Sequence, residues 1–158
     1  MFLHRTLRSL FIALLSAIAL PAFAQTATDS FQVSITIADD CSIAADNLNF
    51  GSETSLASLV DATSNITVTC SVGTAYTVSL DQGDNGTRFM SDGSDTVDYE
   101  LYLDAGRTNA WGEDIGVDTV GGTGNGAAQI LAVYGRVPAQ ATPDPATYTD
   151  QITATVAF

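Results

Sequence analysis

The fold is decided by a run of strictly alternating polar and apolar side chains, Ile66-Thr67-Val68-Thr69-Cys70-Ser71-Val72. Because successive side chains of a β-strand point to opposite faces, this period of two predicts a strand with one face in a core and the other in solvent. β-Branched residues such as these also favour strands. Comparable runs lie on both sides of it, at residues 31–37, 76–80, 97–103, 129–137 and 148–158.

Clusters of Gly, Asn, Asp and Ser separate these runs, at residues 81–86, 91–94 and 121–126. Such residues favour turns because they tolerate unusual backbone angles or bond to their own backbone. We interpret the glycine-rich residues 121–126 as a flexible loop. About seven or eight short strands, with no sustained helical period, predict an all-β fold of the β-sandwich type.

The N-terminus has the layout of a secretory signal peptide. Arg5 and Arg8 precede an apolar run at residues 10–20, and a small-x-small pattern ends at Ala24. The apolar run is too short to span a bilayer, and the proline that follows it argues against a retained membrane anchor. We therefore expect residues 1–24 to be removed during export.

Composition excludes several kinds of chemistry. The 158 residues carry 18 Asp and Glu against 5 Arg, contain no lysine, and have their one histidine at position 4, inside the predicted signal peptide. The exported chain therefore has no Ser-His-Asp triad, no histidine-bound zinc, no Schiff-base lysine and no P-loop. The acidic balance also disfavours nucleic acid as a partner. A carboxylate enzyme, a calcium binder or a protein of binding and assembly remains.

Carboxylate sites are weakly indicated. Residues 81–92 have acids at both ends of a calcium-loop spacing but lack the flanking helices, and residues 121–126 lack the aspartate of a calcium β-roll repeat. Spacing alone does not exclude a glycosidase pair among Glu53, Glu100 and Glu113. Only Glu113, next to Trp111-Gly112, has a setting like that of a sugar site, and a lone tryptophan is more often a core residue. We therefore expect no enzyme, metal or cofactor. A monomeric secreted sandwich that binds carbohydrate or calcium stays open as the alternative function.

Cys41 and Cys70 are the only cysteines. In an exported chain, two cysteines favour one disulfide over a metal site. Closing a loop of this length stabilises a fold by about 3–4 kcal/mol in the chain-entropy model. We predict that the two form an intramolecular disulfide.

The run before Cys41 places four apolar side chains on one face, Phe31, Val33, Ile35 and Ile37. It follows a small, polar stretch and ends at two aspartates. Two interpretations fit this pattern: an ordinary first strand of the sandwich, or a strand lent to a neighbouring molecule by β-augmentation. Periodicity alone does not choose between them.

A set of short motifs runs in order through the chain after the signal peptide: Cys41, Phe50-Gly51, Cys70, Tyr76, Gly83, Met90, Tyr99-Glu100-Leu101-Tyr102, Trp111-Gly112, Tyr134-Gly135-Arg136-Val137-Pro138 and Tyr148-Thr149-Asp150. This ordered set resembles the spore coat U domain family, the subunits of archaic (Csu-type) chaperone–usher pili. One departure is Ala146-Thr147, where the family usually has a glycine turn.

The resemblance implies an incomplete immunoglobulin-like β-sandwich at residues 41–158, which lacks one strand, and a donor-strand extension at residues 25–40. A periplasmic chaperone would fill the gap first, and the extension of a neighbouring pilin would replace it after passage through an outer-membrane usher. The fibre, a homo-polymer or a mixed one, would lie on the surface of a Gram-negative bacterium and serve adhesion and biofilm formation. This function is structural, not enzymatic.

The C-terminal run alternates as well, with Ile152, Ala154, Val156 and Phe158 on one face. A strand that ends the chain leaves an edge that needs cover. We expect this strand to border the open groove that the resemblance implies and to be the place where the chaperone docks.

Overall fold

The computed structural model describes residues 23–158. The predicted signal peptide, with Arg5, Arg8 and the apolar run at residues 10–20, therefore lies almost entirely outside the described residues. In the described part, no helix has the length and apolar character needed to cross a membrane. Contacts divide the described residues into a first unit, which ends at residue 36, and a second unit, residues 37–158.

The second unit is built from short β-strands. They are β1 (Cys41–Ala45), β2 (Val60–Cys70), β3 (Ala75–Leu80), β4 (Phe89–Ser91), β5 (Thr96–Asp98), β6 (Glu100–Tyr102), β7 (Val120–Thr123), β8 (Ala128–Val137) and β9 (Ala154–Ala157). All pairings are antiparallel. One sheet has the order β1-β2-β8-β6, a second has the order β7-β3-β9, and β4 pairs with β5.

The core lies between the inner faces of the two larger sheets. Alternate side chains of β2 and β3 are almost fully buried, as the period of two predicts, namely Ile66, Val68, Cys70, Tyr76, Val78 and Leu80. Trp111, 1 % exposed, completes this core and donates its indole N–H to the carbonyl of Val78 at 3.0 Å. The prediction of an all-β sandwich is confirmed.

Some local predictions were wrong. Of residues 121–126, which were predicted to be a loop, residues 121–123 belong to strand β7, in which Gly122 pairs with Tyr76 of β3, and only residues 124–126 lie outside a strand. An added Cβ on Gly122 would overlap the Tyr76 ring, so glycine lets an aromatic ring lie against a neighbouring strand. The single run predicted at residues 97–103 is two strands, because the chain changes partner at Tyr99 between β5, paired with β4, and β6, paired with β8.

The first unit shows no strand or helix over residues 23–36. The four apolar side chains of the N-terminal run lie in solvent, with Phe31 88 %, Val33 83 %, Ile35 87 % and Ile37 89 % exposed. Four large apolar side chains on one face of an exposed segment are unusual, since burial of such side chains normally drives folding.

Candidate functional site: an open apolar groove

The sandwich is open along one side. A cavity of about 1150 Å³ lies there, and its lining includes core residues of both sheets as well as exposed polar residues such as Glu53 and Gln151. The apolar part of the lining is formed by Ile66, Leu80, Met90, Val97, Leu101, Val133 and Val137. Because side chains of the core meet surface residues in one cavity, the core is reached from the surface through this groove.

Two stretches without strand structure form the walls of the groove. One is residues 46–56, which follow β1, and the other is residues 142–152, which precede β9. β1 ends the larger sheet and β9 ends the other, so each has a strand partner on one side only. An edge strand next to an apolar cavity offers unpaired backbone groups and an apolar surface together.

Leu48 and Phe50, in the wall that follows β1, pack against Gly135 of β8. A Cβ on Gly135 would lie 2.9 Å from the nearest carbon of each side chain, so glycine in β8 leaves the space they occupy. The ring of Phe50 also lies 6.3 Å from that of Tyr99. In the sequence, the one signal for this wall is the short alternation at residues 47–50, Asn47-Leu48-Asn49-Phe50.

In the opposite wall, residues 142–152, the carboxylate of Asp150 accepts two side-chain hydrogen bonds from other parts of the domain. The Tyr99 hydroxyl donates to its Oδ2 at 2.6 Å, and the Asn85 amide donates to its Oδ1 at 3.1 Å. Burial and this hydrogen bond to Asp150 raise the pKa of Tyr99, so its hydroxyl stays protonated and donating. Gly83 leaves room for the carboxylate, because an added Cβ would overlap it.

A second carboxylate, that of Asp81, binds the chain at Thr153, three residues after Asp150. Asp81 accepts hydrogen bonds from the backbone N–H of Thr153 at 2.9 Å and of Gly83 at 3.0 Å. Burial opposes ionisation of this carboxyl, but the bonds from Thr153 and Gly83 prevail, and the pKa of Asp81 is lowered. The residues just before β9 are therefore held at two carboxylates.

Arg88 is a buried cation that joins several strands. Its guanidinium donates to the carbonyls of Trp111 at 2.7 Å and Leu80 at 3.3 Å, and pairs with Glu100 at 3.0 Å. A buried charge is tolerated when its donors are satisfied in this way. Glu100 thus serves as a structural partner of Arg88.

The other two arginines of the described part share Asp61. Arg136 bonds to this carboxylate at 2.7 and 2.8 Å, and Arg107 approaches it at 3.3 Å. The bond from Arg136 outweighs partial burial and lowers the pKa of Asp61. Among residues 23–158, no three His, Cys, Asp or Glu side chains lie close enough together to hold a metal ion.

The predicted C-terminal residues lie beside the groove in part. Ile152 and Ala154 line it, and Val156 packs against the core, whereas Phe158 is 61 % exposed. The strand predicted at residues 148–158 is shorter than expected, because β9 covers only Ala154–Ala157, so that Ile152 precedes the strand and Phe158 follows it. Cys41 and Cys70 are opposite each other on β1 and β2 and form the predicted disulfide.

Comparisons with known proteins agree with this geometry. The sequence profile of the Spore Coat Protein U domain matches residues 27–155. No curated protein sequence matches the chain. Among solved structures, the chain is similar to one chain of the CsuC-CsuE chaperone–tip adhesion subunit pre-assembly complex from archaic chaperone-usher Csu pili of Acinetobacter baumannii, with a TM-score of 0.59 and 23 % identity.

That similarity covers 78 % of this chain and 41 % of the other, so this chain spans about two fifths of the length of its solved relative. At this identity the likeness shows a shared fold. The profile match extends over most of the chain, from the start of the N-terminal segment to β9. The chain therefore belongs to the Spore Coat Protein U domain family.

Proposed function

We propose that the protein is a structural subunit of a chaperone–usher surface fibre, and that it polymerises by donor-strand exchange. The observation that carries this proposal is the open groove of about 1150 Å³, whose apolar lining is formed by core side chains of both sheets. A sandwich with such a groove lacks the apolar contacts that one further strand would supply. The family membership and the pilus complex among its structural relatives support the same function.

The N-terminal run has the chemistry of the missing strand. Phe31, Val33, Ile35 and Ile37 are more than four-fifths exposed, and alternate side chains of a strand stand about 6–7 Å apart. Burying each contributes about 1.5–3 kcal/mol, so a fully inserted run stabilises a joint by several kcal/mol before ordering costs. Residues 31–37 also contain no charged side chain that insertion would desolvate.

Register follows from the same alternation. A slip by one residue would turn polar side chains such as Ser34 toward the apolar lining and expose the apolar ones. Main-chain hydrogen bonds to the groove edges would add affinity that does not depend on side chains. The run is thus suited to lie in the groove of a neighbouring copy or of another pilin.

A subunit with an open core needs a partner before assembly, since exposed apolar patches promote aggregation. We propose that a periplasmic chaperone covers the groove and docks along strand β9 and Ile152, which lies just before it. An outer-membrane usher would then pass the subunit into a fibre on the surface of a Gram-negative bacterium. The fibre would serve adhesion and biofilm formation, with no catalytic role.

A peptide experiment tests the groove directly. A subunit shortened to residues 38–158 is refolded with a synthetic peptide of residues 29–39, and its melting temperature is measured. We expect a stoichiometric complex with a raised melting temperature. A matched peptide with Ile35→Asp should give no rise. Equal melting with both peptides, or a fully stable monomer without peptide, would favour a self-contained secreted sandwich instead.

A further inference from the structure

Near the start of the second unit, Asp39, Asp40 and Cys41 make several contacts to one turn. The carbonyl of Asp40 accepts the backbone N–H of Ser71 at 2.9 Å, which continues the β1–β2 ladder by one residue. The carboxylate of Asp39 accepts the Thr74 hydroxyl at 2.8 Å. The disulfide of Cys41 follows directly, at the first residue of β1.

The turn that receives these contacts, residues 70–74, is itself fastened to the β7–β8 connection. Gly73 donates to the carbonyl of Gly124 at 2.9 Å, and Gly124 donates to the carbonyl of Thr74 at 2.8 Å. Gly126 donates to the carbonyl of Cys70 at 3.1 Å. A side chain at Gly124 would overlap Cys70 and Ser71, so this part of the glycine-rich run must be glycine for the two segments to meet.

The position of these contacts matters if a fibre is pulled. Tension from an inserted extension reaches the domain at residue 40, beside β1, which has a strand partner on one side only. An edge strand can be stripped from its single neighbour one hydrogen bond at a time. The disulfide instead passes the tension from Cys41 to Cys70, at the end of β2 and before β3, and both of these strands have neighbours on two sides.

We propose that the Cys41–Cys70 disulfide, with the bonds of Asp39 and Asp40 to the 70–74 turn, is a mechanical clamp that moves tension from edge strand β1 to the interior strands β2 and β3. This function rests on the proposed fibre, in which the N-terminal extension bears the pull of the neighbouring subunit. It assigns a role to the glycine-rich connection as well, since that connection holds the receiving turn in place.

Single-molecule pulling on the mature subunit, with handles at its two termini, tests the clamp. In the oxidised protein we expect no partial step before the domain unfolds. After reduction we expect an early step at lower force, about 60 Å long, as β1 and the chain up to β2 are stripped away at about 3.5 Å per residue. Reduction should also lengthen full unfolding by about 100 Å, which verifies that the bond between residues 29 apart has opened.

A second attachment point separates a clamp from general stabilisation. A handle at exposed Ser58, before β2, applies tension that does not pass through Cys41. Reduction should leave the force of the first step unchanged there. An equal loss of force for both attachments, or no early step after reduction with terminal handles, overturns the proposal. The measurement uses a single subunit, so its failure is distinct from a failure of donor-strand exchange, which the peptide experiment reports.

Discussion

The hydroxyl of Tyr99 donates a 2.6 Å hydrogen bond to Oδ2 of Asp150, joining a buried core residue to the wall of the groove. The bond spans 51 positions in sequence. The wall at residues 142–152 belongs to none of the strands β1–β9, and it is held by backbone hydrogen bonds at Thr149 and Gln151 together with side-chain bonds of this kind. The shape of the groove thus depends on a few polar contacts at its rim.

We expect Tyr99→Phe to lower the free energy of unfolding by about 1.5–3 kcal/mol, since a bond from a buried hydroxyl to a carboxylate is lost. Urea denaturation followed by tryptophan fluorescence measures this change. Tyr148→Phe is the matched control, because its hydroxyl donates to the carbonyl of Asp144 at an exposed position. Equal losses of unfolding free energy in the two variants would contradict a stabilising role of the Tyr99–Asp150 hydrogen bond.

We expect the free energy of unfolding to decrease in acid, partly because Asp81 becomes protonated. Its folded-state pKa is lower than the ordinary 3.8, so the stability it contributes is present above about pH 3.8 and is lost as the pH falls below that value. Asp81→Asn should therefore be less stable at pH 7 and show a shallower further loss in acid. Thermal melts from pH 7 downward test this, with Asp84→Asn in the same loop as control. Parallel pH profiles for the wild type and Asp81→Asn would refute it.

Charge in the N-terminal run should stop assembly and leave the domain intact. Ile35→Asp puts a carboxylate where insertion would bury it, so we expect surface fibres to disappear while the subunit and its chaperone still co-purify. Ser34→Asp, on the opposite face of the run, should still give fibres. Electron microscopy of cells and thermal melts of the subunit–chaperone complex measure the two effects. Normal fibres with Ile35→Asp would rule out the donor-strand role.

We expect the chaperone to bind the C-terminal segment formed by Ile152 and strand β9. Ile152→Asp together with Val156→Asp places charges against the groove and the core, so we expect chaperone co-purification to be lost. Thr155→Asp changes the exposed face of the same strand and should be tolerated. If the chaperone is retained by the double variant, it docks elsewhere.

The strands whose alternation is regular could be predicted from sequence, and the short ones could not. Residues 66–70 and 76–80 alternate and lie within β2 and β3 as expected. β7 was missed because a Val-Gly-Gly-Thr strand has little strand propensity, and its pairing with β3 depends on the Tyr76 ring that lies over Gly122.

The residues of the groove also differ in whether they could be predicted from sequence. Ile152 and Ala154 could be placed beside a groove because their alternation predicts one apolar face and the family resemblance implies the groove. Leu48, Phe50 and Asp150 could not be assigned, because their roles depend on contacts across the fold, with Gly135 and Tyr99. Local periodicity predicts which face of a strand is buried, but it carries no information about which distant residue meets it.

The arginines of the described part have a consequence at the scale of a whole fibre. Arg88, Arg107 and Arg136 all point their charges at Glu100 or Asp61, so little positive potential remains to offset the exposed acids. A polymer of such subunits is a polyelectrolyte with one sign of charge. Neighbouring filaments would repel each other at low ionic strength and approach as dissolved salt screens them, which makes bundling a property of the surrounding medium.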